Sequence, residues 1–244
     1  FVPIIPLKRW EVDDLKHRQS PRSIDIGEEA KSQLRNFLSV VASMYRDNAF
    51  HNFEHASHVT ASVKKLLKRI VNVDNGNGLQ TSSDEIDLID LAGHSYGITS
   101  DPLTQFAVVF SAVIHDLDHP GVPNTQLLKE ATRNAQIYKK SIAEQNSVDL
   151  TWQMLMGGEY QALRACIYQN EMELKRFRQL VVNSVMATDI ADKELQALRK
   201  ARWETAFSES PLMESLEESQ DRKATIVIEH LIQASDVSHT MQHW

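Results

Sequence analysis

The stretch "HDLDHPGVPN" at 115–124 places two histidines and two aspartates within five positions, directly after the apolar run "FAVVFSAVI" at 106–114. An apolar run of that length belongs in a core, and the polar residues at its end are carried inward with it. A carboxylate taken out of water costs several kcal/mol, roughly, unless a cation or hydrogen-bond donors compensate it. Imidazole plus carboxylate suits Zn²⁺ and related divalent ions, and a further carboxylate with waters suits Mg²⁺ or Mn²⁺. His115 and Asp116 are adjacent, so both reach one ion only where an element ends, and Pro120-Gly121 supplies such an end. The competing reading is a solvated turn with Asp118 capping the next helix; taken singly, Asp118 and His119 fit either.

Two other stretches offer partners. In "FHNFEHASH" (50–58), His51 and His55 are four apart, which on a helix is one face. His55 also shares a register with Val59, Val63, Leu66 and Ile70, so it opens an apolar stripe and points into the core. His58 lies off that register and reads as surface. In "IVIEHLIQASDVSH" (226–239), Ile228 and Ile232 precede Asp236 by eight and four residues, which puts Asp236 on a buried face where it needs a partner. His230 and His239 read as ordinary surface or near-surface histidines. Each candidate alone is equally well a hydrogen-bonded core residue. Together, His55, His115, Asp116 and Asp236 sit on or at the end of apolar helical stripes far apart in the chain.

The elements that must carry these residues are helices. Leu34, Phe37, Leu38, Val41 and Met44 mark one over 28–45, and the stripe from His55 marks a second from Glu54 onward. Leu103, Phe106, Ala107, Phe110, Val113, Ile114 and Leu117 share a face of a third, with Pro102 suited to its first turn. Further helical runs fall near 141–156, 159–170, 172–188, 192–207 and 222–236, while Asn-Gly pairs and a Ser/Thr/Asp cluster mark a long loop near 73–100. Only 8 Gly and 7 Pro in 244 residues favour helices over a turn-rich β architecture. The expected fold is therefore one all-α domain.

The totals exclude several functions. A formal net charge of −7 argues against a nucleic-acid footprint, which is ordinarily basic. An acidic protein that handles phosphate needs local positive charge, and bound metal ions supply it. Cys166 is the single cysteine, which excludes an intrachain disulfide framework and fits a reducing, cytoplasmic setting. No apolar stretch approaches the ~20 residues of a membrane span. The start, "FVPIIPLKRW", lacks a signal-peptide layout and a Met, so a longer parent chain is expected.

The order His, then His-Asp, then a late Asp on an all-α background resembles the HD superfamily of metal-dependent phosphohydrolases. "FHNFEHASHV", "HDLDHPGVPN", "ATD" (187–189) and "ASDVSH" are more specifically similar to the catalytic domain of class I 3′,5′-cyclic nucleotide phosphodiesterases, over about residues 27–244. The resemblance implies a compact multi-helix HD-type domain at 27–244, with residues 1–26 an N-terminal extension packing on it or leading into it. It implies that His55, His115, Asp116 and Asp236 hold a tight metal, usually Zn²⁺, and that Asp116 bridges to a second ion, usually Mg²⁺ or Mn²⁺. His119 and Glu144, with Thr188 a weaker match, take the positions that hold the second ion's waters, and His51 takes that of the general acid. The implied reaction is hydrolysis of the 3′ phosphoester of cAMP or cGMP by a metal-bridging hydroxide. The product is the 5′-monophosphate. The implied partner is this small-molecule substrate alone, with no nucleic acid and no membrane within this segment, inside a longer chain with regulatory domains on the cytoplasmic side.

Some residues depart from the family pattern. Glu144 is followed by "QNSV", where relatives often carry histidines, and Ser235 replaces a commoner His or Cys. The sequence stops at "MQHW", 241–244, whereas family members continue for several helices that supply a glutamine and an aromatic clamp for the purine. The domain thus reads as C-terminally incomplete, with its base-binding residues unknown. The alternatives are another HD phosphohydrolase, or a non-catalytic module that binds metal or nucleotide.

Overall fold

The computed structural model describes residues 3–9, 24–71, 94–208 and 215–238. Among these residues there are ten α-helices and no strand: α1 Glu28–Met44, α2 Phe53–Val71, α3 Pro102–Ile114, α4 Asn124–Lys129, α5 Arg133–Ile137, α6 Ile142–Leu155, α7 Gln161–Ile167, α8 Glu171–Thr188, α9 Lys193–Phe207 and α10 Leu216–Val237. The expected all-α fold is what forms. Most of the loop expected near 73–100 lies outside the described residues, and its last part is a turn followed by a 3₁₀ helix, Ile98–Ser100.

α3 is the hub. It is apolar on every side, which only a position enclosed by other helices satisfies. Ala107, Phe110 and Ile114 face one core cluster with Phe37, Val41, Phe177 and Leu180 from α1 and α8. Val108 and Ala112 face a second cluster with Val59, Val63, Ile228 and Ile232 from α2 and α10. Phe37 stacks on Phe110 at 5.6 Å and meets Tyr160 edge-on at 5.4 Å, geometry that adds to the area buried. A helix wedged between two cores delivers whatever follows its last turn to the middle of the molecule.

Pro120-Gly121 does not end this helix, contrary to the expectation from the sequence. α3 stops at Ile114, and the ladder passes into tighter i→i+3 bonds, Leu117 N–H to the Ile114 carbonyl (3.1 Å) and His119 N–H to the Asp116 carbonyl (3.0 Å). Asp118 then turns the chain in the left-handed region (φ 59°), and Gly121 follows at φ 77°. Asp118 does not cap α4 either; its carboxylate pairs with Arg46 (2.7 Å) and accepts from Asn146 (3.1 Å), pinning the turn to the segment that follows α1 and to α6. Leu117 is buried as expected, but from this turn rather than from a helical face.

The entry to α3 is held just as firmly. Asp101 caps it, accepting from the Thr104 N–H (3.1 Å) and hydroxyl (3.0 Å), and also accepts from the Lys8 N–H and pairs with Arg176. Residues 3–9 form a strap across the helices, with the Ile5 N–H on Thr225, the Leu7 N–H on Asp221 and the Pro3 carbonyl on Asn183. Asp101→Ala removes the cap and leaves a largely buried guanidinium unpaired. It is expected to lower stability by about 3–5 kcal/mol, read as a fall in the urea midpoint; an unchanged midpoint would count against this ion pair as a structural anchor.

Candidate metal centre

Four donor atoms from three helices meet at the end of α3. His55 Nε2 lies 2.9 Å from Asp236 Oδ1 and 3.7 Å from Asp116 Oδ2, and His115 Nε2 lies 3.1 Å from Asp116 Oδ2 and 3.5 Å from Asp236 Oδ1. Ligands bound about 2.0–2.2 Å from one centre stand roughly 3–3.5 Å apart, so these separations are those of a coordination shell. His55 comes from the first turns of α2, Asp236 from the last turn of α10, and His115 and Asp116 from the turn that closes α3. The apolar stripes that carry them account for the convergence.

The tautomer of His115 tests whether a metal fits. Its Nδ1 lies 3.0 Å from the Ala112 carbonyl, which only accepts, so Nδ1 carries the proton and Nε2 bears the lone pair of the neutral ring. That Nε2 is buried and makes no hydrogen bond among the described residues, although two carboxylate oxygens face it. A lone pair against two carboxylates is stable only with a positive charge between them. Burial pushes the His115 pKa down, and the Asp116 and Asp236 charges override it, raising it well above the ordinary imidazole value. Conversely, burial alone would raise both carboxyls, but His115 pulls Asp116 below its usual range, and His115 with His55 does the same for Asp236. The field that holds a proton on His115 also suits a divalent cation, and the donor set is one that such cations prefer.

Three further residues lie beside this shell. His51 is half-buried in the turn before α2, not on the helix, so the i, i+4 face expected from its spacing does not apply. Its ring nonetheless comes within 6.5 Å of the His55 ring and stacks on His119 with centroids 3.7 Å apart. The Gly121 N–H donates to His119 Nδ1 (3.0 Å), so the neutral His119 ring presents Nε2–H. His51, Asp116 and His119 offer ligand atoms within 4.8 Å of one another. With its lone pair committed to Gly121, however, His119 is a donor to water rather than a ligand. Burial brings the His119 pKa down to about 4 against the pull of Asp116. A neutral His119 lets its stacked partner carry the single proton of the pair, although burial also lowers the His51 pKa.

Glu144 and Thr188 are buried but belong to neither triad. The Thr188 hydroxyl donates to the Val185 carbonyl (2.8 Å), which leaves it only acceptor capacity toward the site. Glu144 accepts from Asn124 (2.9 Å). His58 is exposed as expected, and His230 lies on the surface against Trp203 with ring centroids 4.7 Å apart. His239 falls outside the described residues. Reasoning from residue types passed over Asn48, whose amide donates to the carbonyls of both His51 (3.0 Å) and His119 (3.2 Å) and so fixes the stacked rings from behind. Gly121 is explained by its backbone (φ 77°) rather than by space, since an added Cβ would sit 3.5 Å from the Asn48 side chain, an ordinary contact.

An all-α domain built round a His–Asp cluster able to hold metal defines the class. The chain belongs to the 3′5′-cyclic nucleotide phosphodiesterase family, whose model matches residues 50–244. It is similar to the 3′,5′-cyclic-nucleotide phosphodiesterase regA of Dictyostelium discoideum, 25% identical over 252 residues that cover 98% of this chain and 28% of that one. It is also similar to human cGMP-inhibited 3′,5′-cyclic phosphodiesterase 3A, 29% identical over 184 residues covering 65% of this chain and 16% of that one. Among solved structures, the phosphodiesterase domain of Salpingoeca rosetta rhodopsin phosphodiesterase superposes with a TM-score of 0.64 at 21% identity, over 87% of this chain and 55% of that one. The chain spans less than a third of the length of these curated relatives. No helix among the described residues is long and apolar enough to cross a membrane.

Proposed function

We propose that this chain carries the metal centre of an enzyme that hydrolyses the 3′ phosphoester of a 3′,5′-cyclic nucleotide, cAMP or cGMP, to the 5′-monophosphate. The observation that carries the reading is the convergence of His55, His115, Asp116 and Asp236 around the lone pair of His115 Nε2. On this reading those four residues hold Zn²⁺, and Asp116 also faces a second ion, Mg²⁺ or Mn²⁺, whose waters are held by His119, Glu144 and Thr188. Bound there, the two cations supply positive charge for the phosphate and lower the pKa of a water into the neutral range.

The chain's own groups do the rest. His119 presents Nε2–H as a donor, and the buried Glu144 carboxyl presents an acceptor. Burial lowers the His51 pKa and Asp116 and Asp236 partly offset this; in its protonated form His51 gives its proton to the departing O3′. Asn48 fixes the His51 backbone, and Phe50 lies edge-on to the His51 ring at 4.8 Å, which limits water around it. Full-length protein assayed with cAMP and cGMP is expected to lose hydrolysis by at least ~100-fold after chelation and to regain it with Mg²⁺ or Mn²⁺. Turnover of another phosphate ester with both cyclic nucleotides untouched would assign a different HD phosphohydrolase; metal binding without any turnover would assign a regulatory module.

A further inference from the structure

Ser141-Ile-Ala-Glu144 has the Ser-x-x-Glu spacing of a capping box at the start of α6. The equivalent sequence at α10, Ser215 to Glu218, forms the reciprocal box. At α6 neither bond forms. Ser141 sits in the left-handed region (φ 45°) and makes no cap, while Asn124 Oδ1 takes over by accepting the Ala143 N–H (3.0 Å). The two released side chains turn instead toward Asp189. Ser141 Oγ donates to Asp189 Oδ2 (2.7 Å), and the Asn124 amide donates to both Glu144 Oε2 (2.9 Å) and Asp189 Oδ2 (3.3 Å). All three of Ser141, Glu144 and Asp189 are buried. A non-glycine residue in the left-handed region and a side-chain cap given up are both unfavourable, and such costs persist where a local arrangement serves a site.

We propose that Asp189, with Ser141 and Asn124, is a positioning device for Glu144, holding that carboxyl at the edge of the metal-ligand cluster with a second carboxyl behind it. The two acids share one amide donor, so both cannot comfortably carry charge. Asp189 has the better supply of donors: Ser141, the Asp192 N–H (3.2 Å) and the nearby charge of the Arg199 guanidinium. Glu144 has the Asn124 amide and also feels the charge of Asp116. Glu144 is therefore the acid of the pair that holds its proton the more tightly. Burial first, then the charge of Asp189, raises the Glu144 pKa to about 7, with Asp116 adding to it. Glu144 thus enters the neutral range able to donate or accept at the waters the proposed function gives it. This inference rests on that function only for what the carboxyl serves.

The arrangement is tested without turnover, by titrating full-length protein labelled with ¹³C at its Glu carboxyls. One signal is expected to titrate near pH 7 and to be missing from Glu144→Gln. In Asp189→Asn, which drops the charge and keeps one of the two acceptor oxygens, its midpoint is expected to fall by more than one unit toward the ordinary value of about 4.3. Asp189→Ser gives the same reading should the first variant fail to fold. A Glu144 signal that titrates at the same pH with and without the Asp189 charge overturns the proposal. If the midpoint shifts but no cyclic nucleotide is hydrolysed, the positioning stands and the enzymatic reading falls.

Discussion

Asp236→Ala is expected to leave a folded protein that no longer retains its tightly held metal. The carboxylate sits in the last turn of α10 and is only partly buried, so its removal opens no cavity under either core cluster. Its loss removes one of four donors and half of the negative charge facing His115 and His55. Removing a mere outer partner of a metal ligand costs roughly 10–100-fold in affinity, and loss of a donor should exceed that. Metal content per chain after gel filtration is the measurement. Stoichiometric metal in the variant would mean that Asp236 is only the hydrogen-bond partner of His55.

His51→Ala is expected to show the opposite pattern, with metal retained and turnover lowered by roughly 10²–10⁴-fold, the usual contribution of one positioned acid. Nothing in the four-donor shell depends on the His51 side chain, which reaches the cluster through ring contacts with His55 and His119. Its Nδ1 is buried without a hydrogen-bond partner among the described residues, so truncation orphans no neighbour there. Turnover and bound metal measured on the same preparation separate the two roles. Full activity would exclude His51 as the acid, and lost metal would make it a ligand.

The residues legible in the sequence were those tied to a helical period. His55 and Asp236 stand in register with apolar stripes, and burying the stripes brings them together across 181 positions. His115 and Asp116 declared themselves by residue type at the end of an apolar run. Their separate roles, and those of His51, His119 and Glu144, came from the family pattern rather than from spacing. Asn48 and Ser141 are not singled out, and Asp189 only as the end of "ATD" with no role of its own, because turn residues whose partners lie 48 or 71 positions away leave no periodic trace. For the same reason α4 and α5, of six and five residues, were too short to show a period. The end of α3 was misplaced because Pro-Gly is the stronger local stop signal, while a left-handed Asp118 held by Arg46 and Asn146 is visible only in three dimensions.

The burial of α3 on both sides also constrains how the domain is made. A contact between residues 181 positions apart forms only after a large loop has closed, and such contacts are slow to form. Three of the four donors, His55, His115 and Asp116, sit on α2 and the end of α3, which share one core cluster and follow each other in the chain. The fourth, Asp236, joins them only when α10 closes on the same cluster. The complete shell is therefore expected only after the longest loop has closed, and a fault in the α2–α10 core is expected to appear as a protein that loads metal poorly.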